Sequence, residues 1–166
     1  ICKANLEGVA RLSQLPSEIK LRLANLVRPV YSEAEIQNLR ALVDHLDRFT
    51  ANRIWESDPG EVEDGLALTK KIRDLLAEIL EKIGTSFSTG RPCSVDTAPL
   101  HAAIAEFDAW VVAVRRKMMS QDADPLFITK LIGHAARYQH AATNLIAATE
   151  VAAQLDTSIY SKDNAL

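Results

Sequence analysis

Apolar residues recur along most of the chain at intervals of three and four positions, the spacing that places them on one face of an α-helix. Four long segments have this pattern, over about Ser32 to Glu56, Glu61 to Ile83, Asp96 to Ser120 and Asp124 to Leu155. The alternation of apolar and polar residues that is typical of β-strands does not persist beyond a few positions. The pattern therefore predicts an all-α fold.

The ends of these segments have recognisable start and stop signals. Ser32 followed by Glu35 fits a capping box, in which each side chain accepts a hydrogen bond from the other residue's backbone amide. Lys82 and Gly84 are typical of the end of a helix, so we expect the second helix to stop near Ile83. The prolines fall between the segments or at their starts, where the missing backbone amide is tolerated.

The same spacing predicts which residues face the core. In the first helix the predicted stripe is Ile36, Leu39, Val43 and Leu46. In the last helix it is Ile128, Leu131, Ala135, Tyr138, Ala142, Leu145 and Ala152. Because alanine is small, the stripe of the last helix permits a close approach of its neighbours.

The connections between the helices predict how the helices are arranged. Short turns join the first helix to the second and the third to the fourth, and a longer polar connection separates these two pairs. The simplest closed arrangement is an antiparallel four-helix bundle over residues 31–155. Residues 1–30 contain two shorter leucine-spaced pieces, which predict a short N-terminal helical hairpin or a linker. Residues 156–166 are polar, and we expect a disordered tail there.

Composition narrows the class of protein. The chain has 166 residues, a formal net charge of −3 and 48% hydrophobic residues, which excludes a disordered chain and argues against a nucleic-acid partner. Its two cysteines, Cys2 and Cys93, lack zinc-binding spacing and are expected to be unpaired thiols, with Cys93 exposed in a polar loop. We find no signal peptide and no apolar stretch of about 18 residues. Because the chain begins with Ile1 and not Met, we expect it to be part of a longer protein.

Motifs that would indicate catalysis are missing from the sequence. The chain has no Glu-x-x-His pair of the di-iron bundles, no glycine-rich phosphate loop and no readable Ser/His/Asp order. We therefore expect a protein that is not an enzyme. An enzyme of another type stays open as an alternative, because helical enzymes can assemble a site from residues that are distant in sequence.

Two polar clusters are the candidates for chemistry. In the first helix, Asp44 and Asp47 either belong to a surface ion-pair patch with Arg48 or offer carboxylates to a metal or a partner. In the fourth helix, His140 and Asn144 are four residues apart, so both can face one ligand or simply face solvent. Oxygen donors with one imidazole suit Mg, Mn, Fe or Zn.

At these clusters the chain resembles a PhoU-type helical domain, as found after the membrane part of bacterial Na+/phosphate cotransporters. Leu46-Asp47-Arg48-Phe49 resembles the family's Leu-Glu-Arg-Ile, and the segment from Arg137-Tyr138 to Asn144 resembles its Arg-Tyr-x-Glu-x-x-x-Glu/Asp pattern. The resemblance implies that Asp47 is a metal ligand and that His140 and Asn144 stand where the family has carboxylates. Ala51 occupies the position of the other ligand in the first motif. The candidate metal site is therefore Asp44, Asp47, His140 and Asn144, with Fe, Zn or Mn as the possible ion.

The resemblance also implies a function. We expect a non-enzymatic, cytoplasmic regulatory domain that is the soluble part of a membrane protein and acts on phosphate transport. Its partners would be the transporter portion of the same chain or its complex, or a second copy in a homodimer. Two alternatives from other classes stay open. One is the ligand-binding bundle of a membrane receptor, with Arg48, Arg53 and Arg137 around a small anion, and the other is a plain dimerising scaffold.

Overall fold

A computed structural model describes residues 32–54, 63–119 and 125–160 of the chain. Within these ranges the chain is helical and has no strand, so the all-α expectation is confirmed. The predicted N-terminal connector, residues 1–30, lies outside the described residues. The elements are α1 (Glu33–Ala51), α2 (Glu63–Thr89), α3 (Ala98–Met119), α4 (Pro125–Ala152) and a short 3-10 helix (Thr157–Tyr160).

Helix α1 begins as predicted and ends early. The Ser32 hydroxyl accepts from the Glu35 amide at 3.2 Å, and the Glu35 carboxylate accepts from the Ser32 amide at 2.7 Å, which confirms the capping box. The predicted end at Glu56 is wrong. Asn52 caps the helix, with its side-chain amide donating to the Arg48 carbonyl, and Arg53 then has a φ of 48°. That left-handed conformation ends a helix, but arginine rarely adopts it, so no sequence signal marked the end.

Helix α2 extends past its predicted end to Thr89. Gly84 lies inside the helix, at a cost of about 1 kcal/mol relative to alanine. The hydroxyl groups that suggested a loop donate instead to helix carbonyls, with Ser86 bonding Ile83 at 2.7 Å and Thr89 bonding Thr85 at 2.7 Å. The glycine that stops the helix is Gly90, whose φ of 68° is the left-handed conformation of a helix C-terminus.

Helix α4 organises the packing of the described residues. It contacts α1, α2 and α3, whereas α1 packs chiefly on α4 and α2 packs on α3. Half of the ten buried residues of α4 are alanines, and three of these five belong to the predicted stripe. Ile128 of that stripe is only half-buried. Because small side chains let helix axes approach, α4 can be covered on several sides at once. The fully buried aromatic residues Tyr138 and Phe107 meet edge to face in this core, with ring centroids 5.6 Å apart.

The apolar stripe of α1 is rotated from the predicted one. Leu42 and Phe49 are buried, whereas Val43 is 39% exposed and the predicted central position is therefore wrong. Leu39 and Leu46 are partly buried against the core. The cause is that α1 packs mainly against one helix, so the stripe it buries is centred on its contact with α4.

The end of the described chain folds back onto α2. Sequence analysis placed a disordered tail over residues 156–166, but Thr157–Tyr160 forms a 3-10 helix that contacts α2. Thr157 is buried, and its hydroxyl donates to the Arg91 carbonyl at 2.6 Å. This bond attaches the 3-10 helix to the connection between α2 and α3. Residues 161–166 lie outside the described residues.

A glycine sets the contact between α2 and α3. A Cβ atom on Gly65 would lie 2.5 Å from Cη2 and 2.8 Å from Cζ2 of Trp110, closer than real Cβ atoms come to other atoms. Trp110 in turn stacks on Phe107, with ring centroids 5.7 Å apart and an interplanar angle of 14°. Gly65 therefore leaves the space in which the indole lies against α2.

Three glycines inside helices provide a matched test of this packing. At Gly84 and Gly133 an added Cβ would meet no atom within 4 Å apart from neighbouring residues and backbone of the same helix, so alanine there should raise the free energy of unfolding by about 0.5–1 kcal/mol, through helix propensity. Gly65→Ala should lower it by about 1–3 kcal/mol, because the new methyl group overlaps Trp110. Urea unfolding of the three variants measures both effects. Stabilisation by Gly65→Ala would contradict the proposed indole contact.

Candidate functional site

The first predicted cluster forms the ion-pair patch that sequence analysis left open. Arg48 donates to the Asp44 carboxylate at 2.7 Å, and both side chains are about two-thirds exposed, at 64% and 63%. An ion pair with this exposure contributes little to stability. Asp47 is half-buried, and its backbone carbonyl accepts from the Thr50 hydroxyl at 2.9 Å. The carboxylate of Asp44 is thus already engaged by a cation of its own helix.

The two residues of the second predicted cluster, His140 and Asn144, have different surroundings. The side-chain amide of Asn144 donates to the backbone carbonyl of His140 at 2.8 Å, so its nitrogen is bound to the helix itself. His140 is exposed and faces a groove between α3 and α4. The four-residue spacing therefore produces a bond from side chain to backbone, which uses the amide nitrogen of Asn144.

The predicted metal ligands do not come together as a set of three. Across residues 32–54, 63–119 and 125–160, no group of three or more His, Cys, Asp or Glu side chains is placed to hold one ion. The site of Asp44, Asp47, His140 and Asn144 therefore stays a prediction from the resemblance. What the structure adds is the groove next to His140.

The α3–α4 groove has an apolar floor and a polar rim. It encloses about 380 Å³ and is lined by His101, Ile104, Gln139, His140, Ala142, Thr143 and Ile146. The side-chain amide of Gln139 donates to Asp108 of α3 at 2.8 Å, which connects the two helices beside the groove. Sequence reasoning did not select His101, because it lies on another helix, with no motif to link it to His140.

A second groove lies at the C-terminal end of α2 and has mixed charge. It encloses about 390 Å³ and is lined by Glu78, Glu81, Lys82, Thr85, Ser86, Thr89, Arg91, Pro92 and Ser94. Lys82 bonds Glu78 at 2.7 Å, and this hydrogen bond raises the pKa of the lysine. The Ser86 and Thr89 hydroxyls are bound to helix carbonyls. With two acidic and two basic side chains, the groove favours neither sign of ligand.

The core contains a buried tyrosine hydroxyl. The oxygen of Tyr138 has no partner at hydrogen-bond geometry among the described residues. Burial raises the pKa of Tyr138, and the nearby Arg73 charge and Thr69 hydroxyl oppose this effect only partly. The Thr69 hydroxyl donates instead to the Leu66 carbonyl at 3.1 Å. His134, one helical turn before Tyr138, meets its ring edge to face at 5.0 Å.

The expectation that Cys93 is exposed is wrong. The residue is buried in the core, with 7% of its surface exposed, and it is a free thiol. Burial raises the pKa of the Cys93 thiol, and a hydrogen bond with Ser86 opposes the shift. The flanking Pro, Ser and Gly residues correctly predicted a connection between two helices, but this connection is attached to α2 and to the 3-10 helix. Cys2 lies outside the described residues.

Comparison with protein-family models, curated proteins and solved structures returns no match to this chain. Of the helices in the described ranges, none combines the length and apolar character that crossing a membrane requires.

The buried hydroxyl of Tyr138 leads to a stability prediction. Tyr138→Phe should leave the free energy of unfolding unchanged or raise it by up to about 1 kcal/mol, because a buried hydroxyl without a partner is unfavourable. Tyr138→Ala is the matched control and should cost about 3–5 kcal/mol, because it removes the whole buried ring. Chemical unfolding measures both. A loss above about 1.5 kcal/mol in Tyr138→Phe would indicate that the hydroxyl is hydrogen-bonded after all.

Proposed function

We propose that this chain is a non-enzymatic regulatory domain resembling PhoU, which acts on phosphate transport through protein contacts. Its fold would be an antiparallel four-helix bundle, and it would be the cytoplasmic part of a membrane protein. The observation that carries the proposal is the pairing of α1 with α4. The two segments that resemble the family, 46–49 and 137–144, lie on these two helices, and α1 packs chiefly on α4.

The exposed charges near this helix pair provide the contact surface. Arg137 is exposed on α4, and Arg48 and Asp44 form an exposed pair on α1. A partner that binds one arrangement of the two helices better than another would shift the population toward that arrangement. Regulation would then need only a small movement of α1 along α4. The bond between Arg48 and Asp44 makes the anion-receptor alternative less favourable, because one of its three arginines is already engaged.

The proposal can be tested by phosphate uptake in cells that make the full-length protein. Arg137→Glu should remove the decrease in uptake at high external phosphate, so that uptake equals that of cells lacking residues 31–155. Lys70→Glu is the matched control: it reverses an exposed charge on α2 and should leave regulation intact. Both positions are exposed, so both variants should keep the melting temperature. If deletion of residues 31–155 leaves uptake regulation unchanged, the proposal is wrong.

The reading frame upstream of Ile1 supplies an independent check. Several long apolar segments there would support attachment to a transporter. An upstream region with no such segment would contradict it, whatever the uptake assay gives.

Self-association is a second candidate, favoured by exposed apolar side chains. Met119 is 65% exposed and Leu126 is 58% exposed, and they lie close in sequence at the end of α3 and the start of α4. The other large exposed hydrophobic residues are spread over all four helices and do not form the single stripe that a scaffold predicts: Val43, Leu66, Val112 and Ile132.

If the surface around Met119 and Leu126 forms a dimer interface, the melting temperature should rise with protein concentration, because dissociation accompanies unfolding. Leu126→Ser should remove the concentration dependence, whereas Val112→Ser, a change of similar exposure elsewhere on α3, should keep it. Sedimentation equilibrium measures the mass directly. A monomer at all concentrations would exclude this candidate.

A further inference from the structure

Two imidazoles line the groove between α3 and α4. His101 comes from the first turns of α3 and His140 from the middle of α4, and both are exposed. Neither imidazole is engaged by a hydrogen bond or an ion pair with another described residue. Both imidazoles line the same groove of about 380 Å³, and rotation about its side-chain torsions gives each several staggered positions there.

The helices that carry these imidazoles are packed together. Ile104 is partly buried against the core and Ala142 is fully part of it, so the floor is packed. The 2.8 Å bond from Gln139 to Asp108 joins the helices next to the groove. The two helices therefore contact each other beneath the groove and beside it.

The donor set selects the kind of ion. The residues that line the groove include no carboxylate and no lysine or arginine, so the ligands they offer a metal are two imidazoles, beside the side-chain oxygens of Gln139 and Thr143. Imidazole suits zinc, nickel and copper, whereas magnesium and calcium require oxygen ligands. Two nitrogen ligands leave coordination positions that water or a donor from a partner can fill.

We propose that His101 and His140 together bind one borderline divalent ion, of the zinc, nickel or copper class, in the α3–α4 groove. The site differs from the one implied by the PhoU resemblance, because His101 belongs to neither motif and Asp44, Asp47 and Asn144 take no part. It is independent of the proposed regulatory function, because it is a property of the isolated chain.

The test is a titration of tag-free, chelator-free protein with Ni2+, followed by calorimetry and by the melting temperature. The wild-type chain should bind one equivalent in this groove. His101→Gln and His140→Gln should each weaken binding by at least about tenfold, because the second ligand of a chelate acts at a high effective concentration. The affinity of the double variant for Ni2+ should lie within about twofold of the affinity of either single variant. The increase in melting temperature caused by Ni2+ should be lost in all three.

Two controls separate this site from general binding by histidines. Thr143→Ala changes a groove residue without a strong metal ligand, and His45→Gln removes a histidine of α1, outside the groove. Both should bind Ni2+ as the wild-type chain does. Retention of wild-type affinity in either His101→Gln or His140→Gln, or loss of binding in His45→Gln, would overturn the proposal. Because the titration uses no transporter and no cells, its failure is distinct from a failure of the uptake assay.

Discussion

The close packing of α4 is the constraint on which the described structure depends. It contacts the three other long helices, and alanine supplies half of its buried positions. Between the alanines stands Tyr138, whose fully buried ring lies against Phe107 of α3. A larger residue at Ala141 or Ala148, both completely buried, would push a neighbouring helix away and open the core. The position of α1, and with it the first family-like segment, thus depends on small residues of α4.

Packing, more than charge, also holds α2 against α3. The ion pair of Lys71 with Glu106 crosses this contact at 2.6 Å, but its side chains are 53% and 54% exposed. Water screens such a pair, and its contribution is at most about 1 kcal/mol. Trp110 lies against Gly65 and stacks on the fully buried Phe107, and burial of apolar surface contributes about 25 cal/mol per Å². The ion pair can therefore favour one alignment of the helices, whereas the indole contact supplies more of the binding energy between them.

The existence and type of the helices were predictable, because long apolar stripes depend only on spacing. The capping box of Ser32 and Glu35 was predictable for the same reason, since all its atoms are local. The ends near Gly84 and Arg53 were not: a glycine stops a helix only if it takes the left-handed conformation, and local sequence does not decide this. The burial of Cys93 was missed because it depends on contacts with distant elements. His101 was missed because tertiary packing alone places it in the same groove as His140.

Short polar side chains in and near the predicted site bond to groups of their own helix. Asn144 returns to the His140 carbonyl and Thr50 to the Asp47 carbonyl, while Asp44 takes the guanidinium one turn later. These residues fit a ligand-binding motif in sequence, but in the folded chain their donors and acceptors are partly used. A histidine ring is rigid and larger, and it extends beyond its own helix turn. His101 of α3 and His140 of α4 are such residues, and both line the groove between these two helices.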